Sequence, residues 1–311
     1  MRNLPDGNFP RSFSGAYDLG LTGVMEHQMS QARPTVRRRR LAAALVRLRE
    51  EAGKSPEAAA ERIGCHRSKI SRIENARLGI SLGELRDLLT FYGVEDHGRV
   101  EELVALARRG REPGWVQRAS LARPSYSDFI DYEETADYIR SFENMLISGL
   151  LQTPDYARAV MQAKPSGLAA EQVDALVTAR MERQEVLTRP NPPRLCVIEG
   201  ESALRVQVGG AKVMAGQLDK LVEMAGHPYV ELQVLPDRAG AHAGLMGSFV
   251  MFSFPSPDYS DVVCVEHRTG TLYMETPAEI DEYTLIFDSL RSIALSPADS
   301  LDMIARVRQG F

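Results

Sequence analysis

The stretch "CHRSKISRIENAR", residues 65–77, decides how the first third of the chain is read. Ile70 and Ile73 are three apart and share one face of a helix. At about 100° per residue, Ser68, Ser71, Arg72 and Asn75 fall on roughly the opposite face. All four can hydrogen-bond, and Arg67 and Lys69 flank them near the N-terminal end. The segment is either an ordinary solvated helix or one anchored by its isoleucines so that its outer face offers long donors to base edges and phosphates. The backbone amides of its first turn add a dipole that favours anions.

The flanks favour the second reading. In "RRRRLAAALVRLREEAGKS", Leu41, Leu45 and Leu48 recur at i, i+4 and i+7, one apolar stripe, and Gly53 stands where a helix stops. In "SPEAAAERIG", Ser55 suits an N-cap, Pro56 the first helical position and Gly64 the close. The alanines of this short helix let a neighbour approach closely. Helix, glycine-containing turn, helix with a polar cationic face is the pattern of a helix-turn-helix. Arg37, Arg38, Arg39 and Arg40 admit two readings, an arm following the DNA groove or backbone and the solvated first turn of the leading helix. Four cations there oppose the helix dipole at a few tenths of a kcal/mol each, about the size known for exposed sites.

Charge is unevenly spread. Residues 37–77 hold 12 Lys and Arg against 5 Asp and Glu, net +7, while the remainder holds 25 against 37, net −12. A basic segment on an acidic body points to a polyanion-binding module joined to something else. The 311 residues suggest roughly two domains by the usual 100–200 residues each. Hydrophobic residues at 44% and charged residues at 25% are ordinary for a globular protein. No apolar run approaches the ~20 residues that span a bilayer, and the first residues lack the basic flank and apolar stretch of a secretory signal. Three cysteines, Cys65, Cys196 and Cys264, read as reduced cytoplasmic thiols.

Residues 37–93 resemble the XRE-type helix-turn-helix domain, the five-helix kind of the phage repressors, through "LVRLREEAG", "SPEAAAERIGCHRSKISRIENAR" and "SLGELRDLLTFYGV". The resemblance implies that Arg67, Ser68 and Arg72, with Ser71 and Lys69 beside them, read the major groove, that Asn75 and Arg77 touch backbone phosphate, and that Arg49 pairs with Glu74. It departs from the pattern twice. Pro56 stands where many relatives carry a Gln that grips the backbone. His66 stands where a Ser or Thr cap is usual, so it either caps poorly, reaches a phosphate or is a plain surface imidazole. Relatives commonly begin near Met29, which makes Met29 a candidate start of the functional product.

Residues 1–36 read as a disordered leader. The helical pattern of the DNA-binding domain runs on through "GRVEELVALARRG" and breaks at Pro113 and Gly114, placing the domain as 37–112, with Trp115 a packing residue at the junction. Residues 113–311 mix helices and strands. "YSDFIDYEETADYIRSF" reads as one helix with Phe129, Tyr132, Ala136 and Ile139 on one side. Thr153 caps a helix that begins at Pro154; "AAEQVDALVTARMERQEVLTR", "AKVMAGQLDKLVEMAG", "PAEIDEYTLIFDSLRSIAL" and "PADSLDMIARVRQ" are further helices. "RLCVIE", "YVELQVLP", "GSFVMFSF", "DVVCVEH" and "TLYMET" are strands. The whole is an all-α helix-turn-helix domain followed by an α+β domain with a mostly antiparallel sheet.

"GLLQTPDYARAV", "RMERQEVL", "QVGGAKVMAGQLDKL", "VELQVLP", "GLMGSFVMF" and "VVCVEH" resemble the uncharacterised domain fused to such modules in actinobacterial regulators of the WhiJ and AbaA-like kind. That resemblance implies a developmental or antibiotic-production regulator, a small partner protein encoded nearby, and an antitoxin-like character in some members.

Catalytic chemistry finds little footing. Cys264 and His267 sit three apart in a strand, on opposite faces, with no further ligand nearby, so no metal site is expected. Glu199 and Glu201 offer either acid–base chemistry or, for Glu201, simply a helix start. "VGG" at 208–210 lacks the ending of a phosphate loop. His242, in the glycine-rich "AGAHAGLMG", is either a ligand or partner contact or part of a flexible turn. The expected function is a cytoplasmic, sequence-specific transcriptional regulator that binds double-stranded DNA as a homodimer, without cofactor or enzymatic activity, governed through its C-terminal domain by a small protein or ligand. The alternative is an antitoxin-like module that sequesters a small partner and autoregulates its own operon.

Overall fold

In the computed structural model, residues 36–109, 124–163, 167–255, 259–267 and 270–311 are described. Five helices come first: α1 (Val36–Glu51), α2 (Pro56–Arg62), α3 (Arg67–Glu74), α4 (Leu82–Phe91) and α5 (His97–Arg109). Their limits follow local chemistry. Ser55 accepts from the Ala58 amide and Pro56 opens α2. Ser81 and Glu84 form a reciprocal capping box on α4. Gly53 and Gly64 take φ of +62° and +65°, the left-handed conformation that lets each chain turn tightly after its helix. Leu41, Ala44 and Leu45 of α1, Ala59 and Ala60 of α2, Ile70 and Ile73 of α3, and Leu85, Leu88 and Leu89 of α4 close into one core. The alanines of α2 are what bring α3 close.

The second region contains α6 (Pro124–Thr135), β1 (Tyr138–Glu143), α7 (Pro154–Gln162), α8 (Ala170–Gln184), β2 (Arg194–Gly200), α9 (Glu201–Arg205), α10 (Ala211–Ala225), β3 (Val230–Leu235), β4 (Phe249–Ser253), β5 (Val262–His267), β6 (Gly270–Met274), α11 (Pro277–Ile293) and α12 (Pro297–Arg308). The sheet order is β3-β2-β1-β4-β5-β6. β1 pairs parallel with β2 and β2 with β3, while β1–β4, β4–β5 and β5–β6 are antiparallel. The α+β class and mostly antiparallel sheet expected from the sequence are therefore present, with a parallel flank built by two helical crossovers.

One expectation is corrected. The segment read as a single helix to Phe142 ends at Thr135, and Tyr138–Glu143 is the central strand β1. Phe129, Tyr132, Ala136 and Ile139 are all buried as expected. The last, however, points from a strand whose Ile139 and Phe142 serve opposite sheet faces. Aromatic and β-branched residues at 138, 139 and 142 suit a pleated surface better than a helix end, and two neighbouring strands override the helical spacing.

Both faces of the sheet are covered. Ile139, Leu195, Val197, Leu232, Val234 and Phe252 pack under residues of α6, α7, α9, α10 and α12. Phe142, Ile198, Phe249, Met251 and Val263 pack under Phe287 and Leu290 of α11. Val36, the first residue of α1, belongs to the former core and is 1% exposed. α1 thus enters two interiors: its first residue closes the C-terminal core and its middle closes the helix-turn-helix core. The leader up to residue 35, the boundary near 112 and Trp115 lie outside the described residues.

Candidate nucleic-acid interface

α3 is anchored from beneath. Ile70 and Ile73 are 1% and 3% exposed, and the Arg49 Nε and Nη2 donate to Glu74 Oε1 and Oε2 at 2.6 and 3.3 Å. The Glu74 carboxylate holds the Arg49 guanidinium above its ordinary pKa, chiefly through these hydrogen bonds. Arg49 also donates to the Lys54 carbonyl at 3.0 Å, which ties α1, the turn before α2 and α3 together. Arg49 and Glu74 thus form the ion pair that holds α3 against α1.

Arg67, Ser68, Ser71, Arg72, Asn75 and Arg77 are exposed along the other side of α3 and its exit. Arg72 makes no ion pair among the described residues. Arg67 pairs with Glu57 of α2 at 2.7 Å, but both side chains remain largely in solvent, so the contact is weak. Lys69 is half-buried and pairs with Glu84 of α4, lowering that carboxylate's pKa, so its ammonium is drawn off the outer face. Asn75 donates from Nδ2 to the Ser71 carbonyl at 2.7 Å, closing the helix end. Ala76 follows at φ +57°, and the Arg77 amide donates back to the Arg72 carbonyl at 2.8 Å. This left-handed exit turns the Arg77 backbone away from the helix axis. His66 is the N-cap: its Nδ1 accepts from the Ser68 amide at 3.3 Å and lies 3.0 Å from the Ser68 hydroxyl.

The arginine run is placed differently from the rest. Arg37 pairs with Asp131 and, at 3.0 Å, with Glu134 of α6. Arg39 donates to the Tyr132 hydroxyl at 2.8 Å and to Glu275 at 2.9 Å, and lies 3.7 Å from Asp128. Arg40 is buried; it donates to the Thr135 hydroxyl at 2.5 Å and its guanidinium lies over the rings of Phe254 (3.6 Å), Tyr259 (4.7 Å) and Tyr132 (5.2 Å). Burial depresses its pKa to about 10. Arg38 is half-buried. Arg37, Arg39 and Arg40 are therefore not the solvated first turn that one reading of this run expected. The reason is electrostatic: Asp128, Asp131 and Glu134, spaced by three on α6, face a helix start that carries four cations. Asp128 also accepts from the Val36 amide at 3.3 Å, so an acid from another element caps the dipole that those cations oppose. That three-residue acidic spacing was legible in "SDFIDYEE" but had no assigned partner.

In the C-terminal region, His242 accepts from the Gly244 amide at 3.2 Å and its ring meets Phe142 edge-on at 6.1 Å. A Cβ at Gly244 would overlap the Phe142 ring, so the glycine-rich turn is seated on the end of β1. Leu245 and Met246 beside it are 59% and 96% exposed. Glu201 opens α9 and pairs with Arg205 at 2.6 Å, leaving Glu199 a different neighbour. The parallel register sets Glu199 opposite Glu143. Glu199 is fully buried, its Oε1 accepting from the Ser148 amide at 2.8 Å and its Oε2 without a partner among the described residues. Among the described residues, no group of three or more His, Cys, Asp or Glu is arranged to hold a metal ion. None of the described helices is long and apolar enough to cross a membrane.

An anchored short helix with an exposed polar, cationic side, set after a glycine turn, defines a helix-turn-helix DNA-binding regulator, and the chain matches the helix-turn-helix domain family over residues 40–103. Over residues 126–306, more than half its length, it matches the family described as a domain of unknown function (DUF5753), and it belongs to that family. No curated protein and no solved structure matches it.

Proposed function

We propose that the chain is a cytoplasmic, sequence-specific transcriptional regulator of XRE type in which α3 enters the major groove. The supporting observation is that Ser68, Ser71 and Arg72 share the exposed side of a helix whose Ile70 and Ile73 are buried. Arg72 and Ser68, with Arg67 at the helix start, face base edges; Ser71 stands beside them. Arg77 and the Asn75 side chain lie at the helix exit, where phosphates pass. Lys69 reaches DNA only by leaving Glu84. Two copies place two α3 helices on half-sites about one helical turn apart, ~34 Å. The C-terminal domain takes the signal, as a small partner protein encoded nearby or as a ligand. Leu245 and Met246, exposed beside His242, favour a protein surface there, and the antitoxin-like reading shares that surface.

The test is a binding-site selection followed by titration. Arg72→Ala costs ~1–3 kcal/mol on the selected site and relaxes preference at one base pair. Unchanged affinity and base preference in this variant would remove α3 as the reading element.

A further inference from the structure

We propose that the first turn of α1 is an electrostatic latch: Arg37 and Arg39, held by carboxylates of the C-terminal domain, are withheld from the DNA backbone until those carboxylates let go. This deepens, and rests on, the DNA-binding reading.

The contacts divide into an anchor and an exchangeable part. Val36 sits in the C-terminal core, and Arg40 is clamped among Phe254, Tyr259 and Tyr132. These hold the helix start in place. Tyr259 adds a bond to Glu102 of α5 at 3.3 Å, fixing the same aromatic clamp to the DNA-binding helices. Arg37 and Arg39 differ, because each has one carboxylate partner at the surface margin, Glu134 at 37% and Glu275 at 40% side-chain exposure, beside a more buried one, Asp131 at 13% and Asp128 at 11%. The pairs to Glu134 and Glu275 are individually weak at their exposure, so a polyanion competes for Arg37 and Arg39 there without moving the helix. Glu275 follows β6 directly and also accepts from the Tyr132 hydroxyl at 2.8 Å. A change at the β6 end of the sheet therefore reaches Arg39 through one side chain. The carboxylates stand where phosphates would, and the latch makes the C-terminal domain a competitor of DNA for the same guanidinium groups.

The experiment uses the full chain, with random-sequence duplex DNA titrated across a salt series and heparin retention as a probe independent of duplex binding. In Asp131→Asn/Glu275→Gln, the magnitude of the slope of log K against log salt rises by about 0.9 for each arginine that gains a phosphate, about 1.8 for two. Low-salt affinity rises several-fold and heparin elution moves to higher salt. Adding Arg37→Gln and Arg39→Gln removes the gain. A folded double variant with unchanged slope and unchanged heparin elution overturns the latch. On wild-type protein without DNA, phenylglyoxal labelling read by mass spectrometry covers the case in which the variant does not fold. Arg37 and Arg39 gain reactivity with salt while Arg40 stays protected; equal, salt-independent labelling of all three overturns it. A wild-type chain that binds no duplex refutes the DNA-binding reading instead, and the latch is then decided by heparin and labelling.

Discussion

Arg49 and Glu74 meet 25 positions apart, and their bond fixes the tilt of the reading helix against α1. Each side chain keeps about a tenth of its surface, 10% and 11%, in contact with solvent. Breaking one side of a fully buried pair costs ~3–5 kcal/mol; the residual exposure here argues for a lower figure. Glu74→Gln is expected to lower the stability of the helix-turn-helix core by about 2 kcal/mol, read from urea unfolding, and to weaken DNA binding by more than that loss alone explains. A variant as stable as wild type would mean the pair only decorates the surface. At this scale much was readable: the isoleucines, the caps at Ser55 and Thr153, the glycine stops and the Arg49–Glu74 pair each follow from a rule acting within a turn or from the family resemblance. His66 was not decided, because an imidazole caps only when its Nδ1 is turned toward the chain, and sequence does not specify rotamer or tautomer.

Elements were legible where one period ran uninterrupted and illegible where two competed. "RLCVIE", "YVELQVLP" and "DVVCVEH" carry apolar runs that only strands of that length explain, and β2, β3 and β5 follow them. "ADYIRSF" satisfies a helical spacing with what precedes it and a strand pattern by itself; pairing with β2 and β4 decides for the strand. That decision also hides a carboxylate pair, since the register of β1 against β2, which no local rule specifies, brings Glu143 to Glu199. Burial, followed by the charge of Glu266, pushes the Glu143 carboxyl up to about 7, against hydrogen bonds from Ser141 and Ser248. Burial, followed by Glu143, pushes Glu199 well above the usual carboxylate range, against the Ser148 amide. Folded-state values above the unfolded ones mean that the folded chain holds protons the unfolded chain releases. Stability from this pair is therefore full at low pH and lost as pH rises above about 4.3, for Glu143 through about 7. Glu199→Gln keeps an acceptor for Ser148 and removes the charge. Its melting temperature should exceed that of wild type at pH 8 and converge on it below about pH 4. An equal loss at both pH values would show that the carboxylate itself is needed.

At the scale of the whole molecule, the charge asymmetry of the chain finds its explanation in a contact within it. The +7 segment and the −12 remainder pointed outward, to a polyanion; part of that basic charge instead faces α6 and Glu275. Composition records how much charge a segment carries and not where it is spent. The same contact makes α1 a shared member of two cores. Val36→Ala is expected to cost about 1–2 kcal/mol, and its effect should appear far from the reading helix. Hydrogen exchange should quicken in α6 and the strands beneath it, while α2–α4 exchange as in wild type. Faster exchange confined to α2–α4 would place Val36 in the wrong interior.

A helix that closes one core with its first residue and another with its middle also has a phase. Each residue inserted between Arg40 and Leu41 would turn one end against the other by about 100° and lengthen the rod by ~1.5 Å. One added alanine would swing the groove-facing side well away from its present bearing. Four would nearly restore the angle at the cost of one extra turn of reach. Operator recognition that vanished and returned across such a series would show that this short stem is a torsion bar whose angle, and not merely its presence, sets recognition.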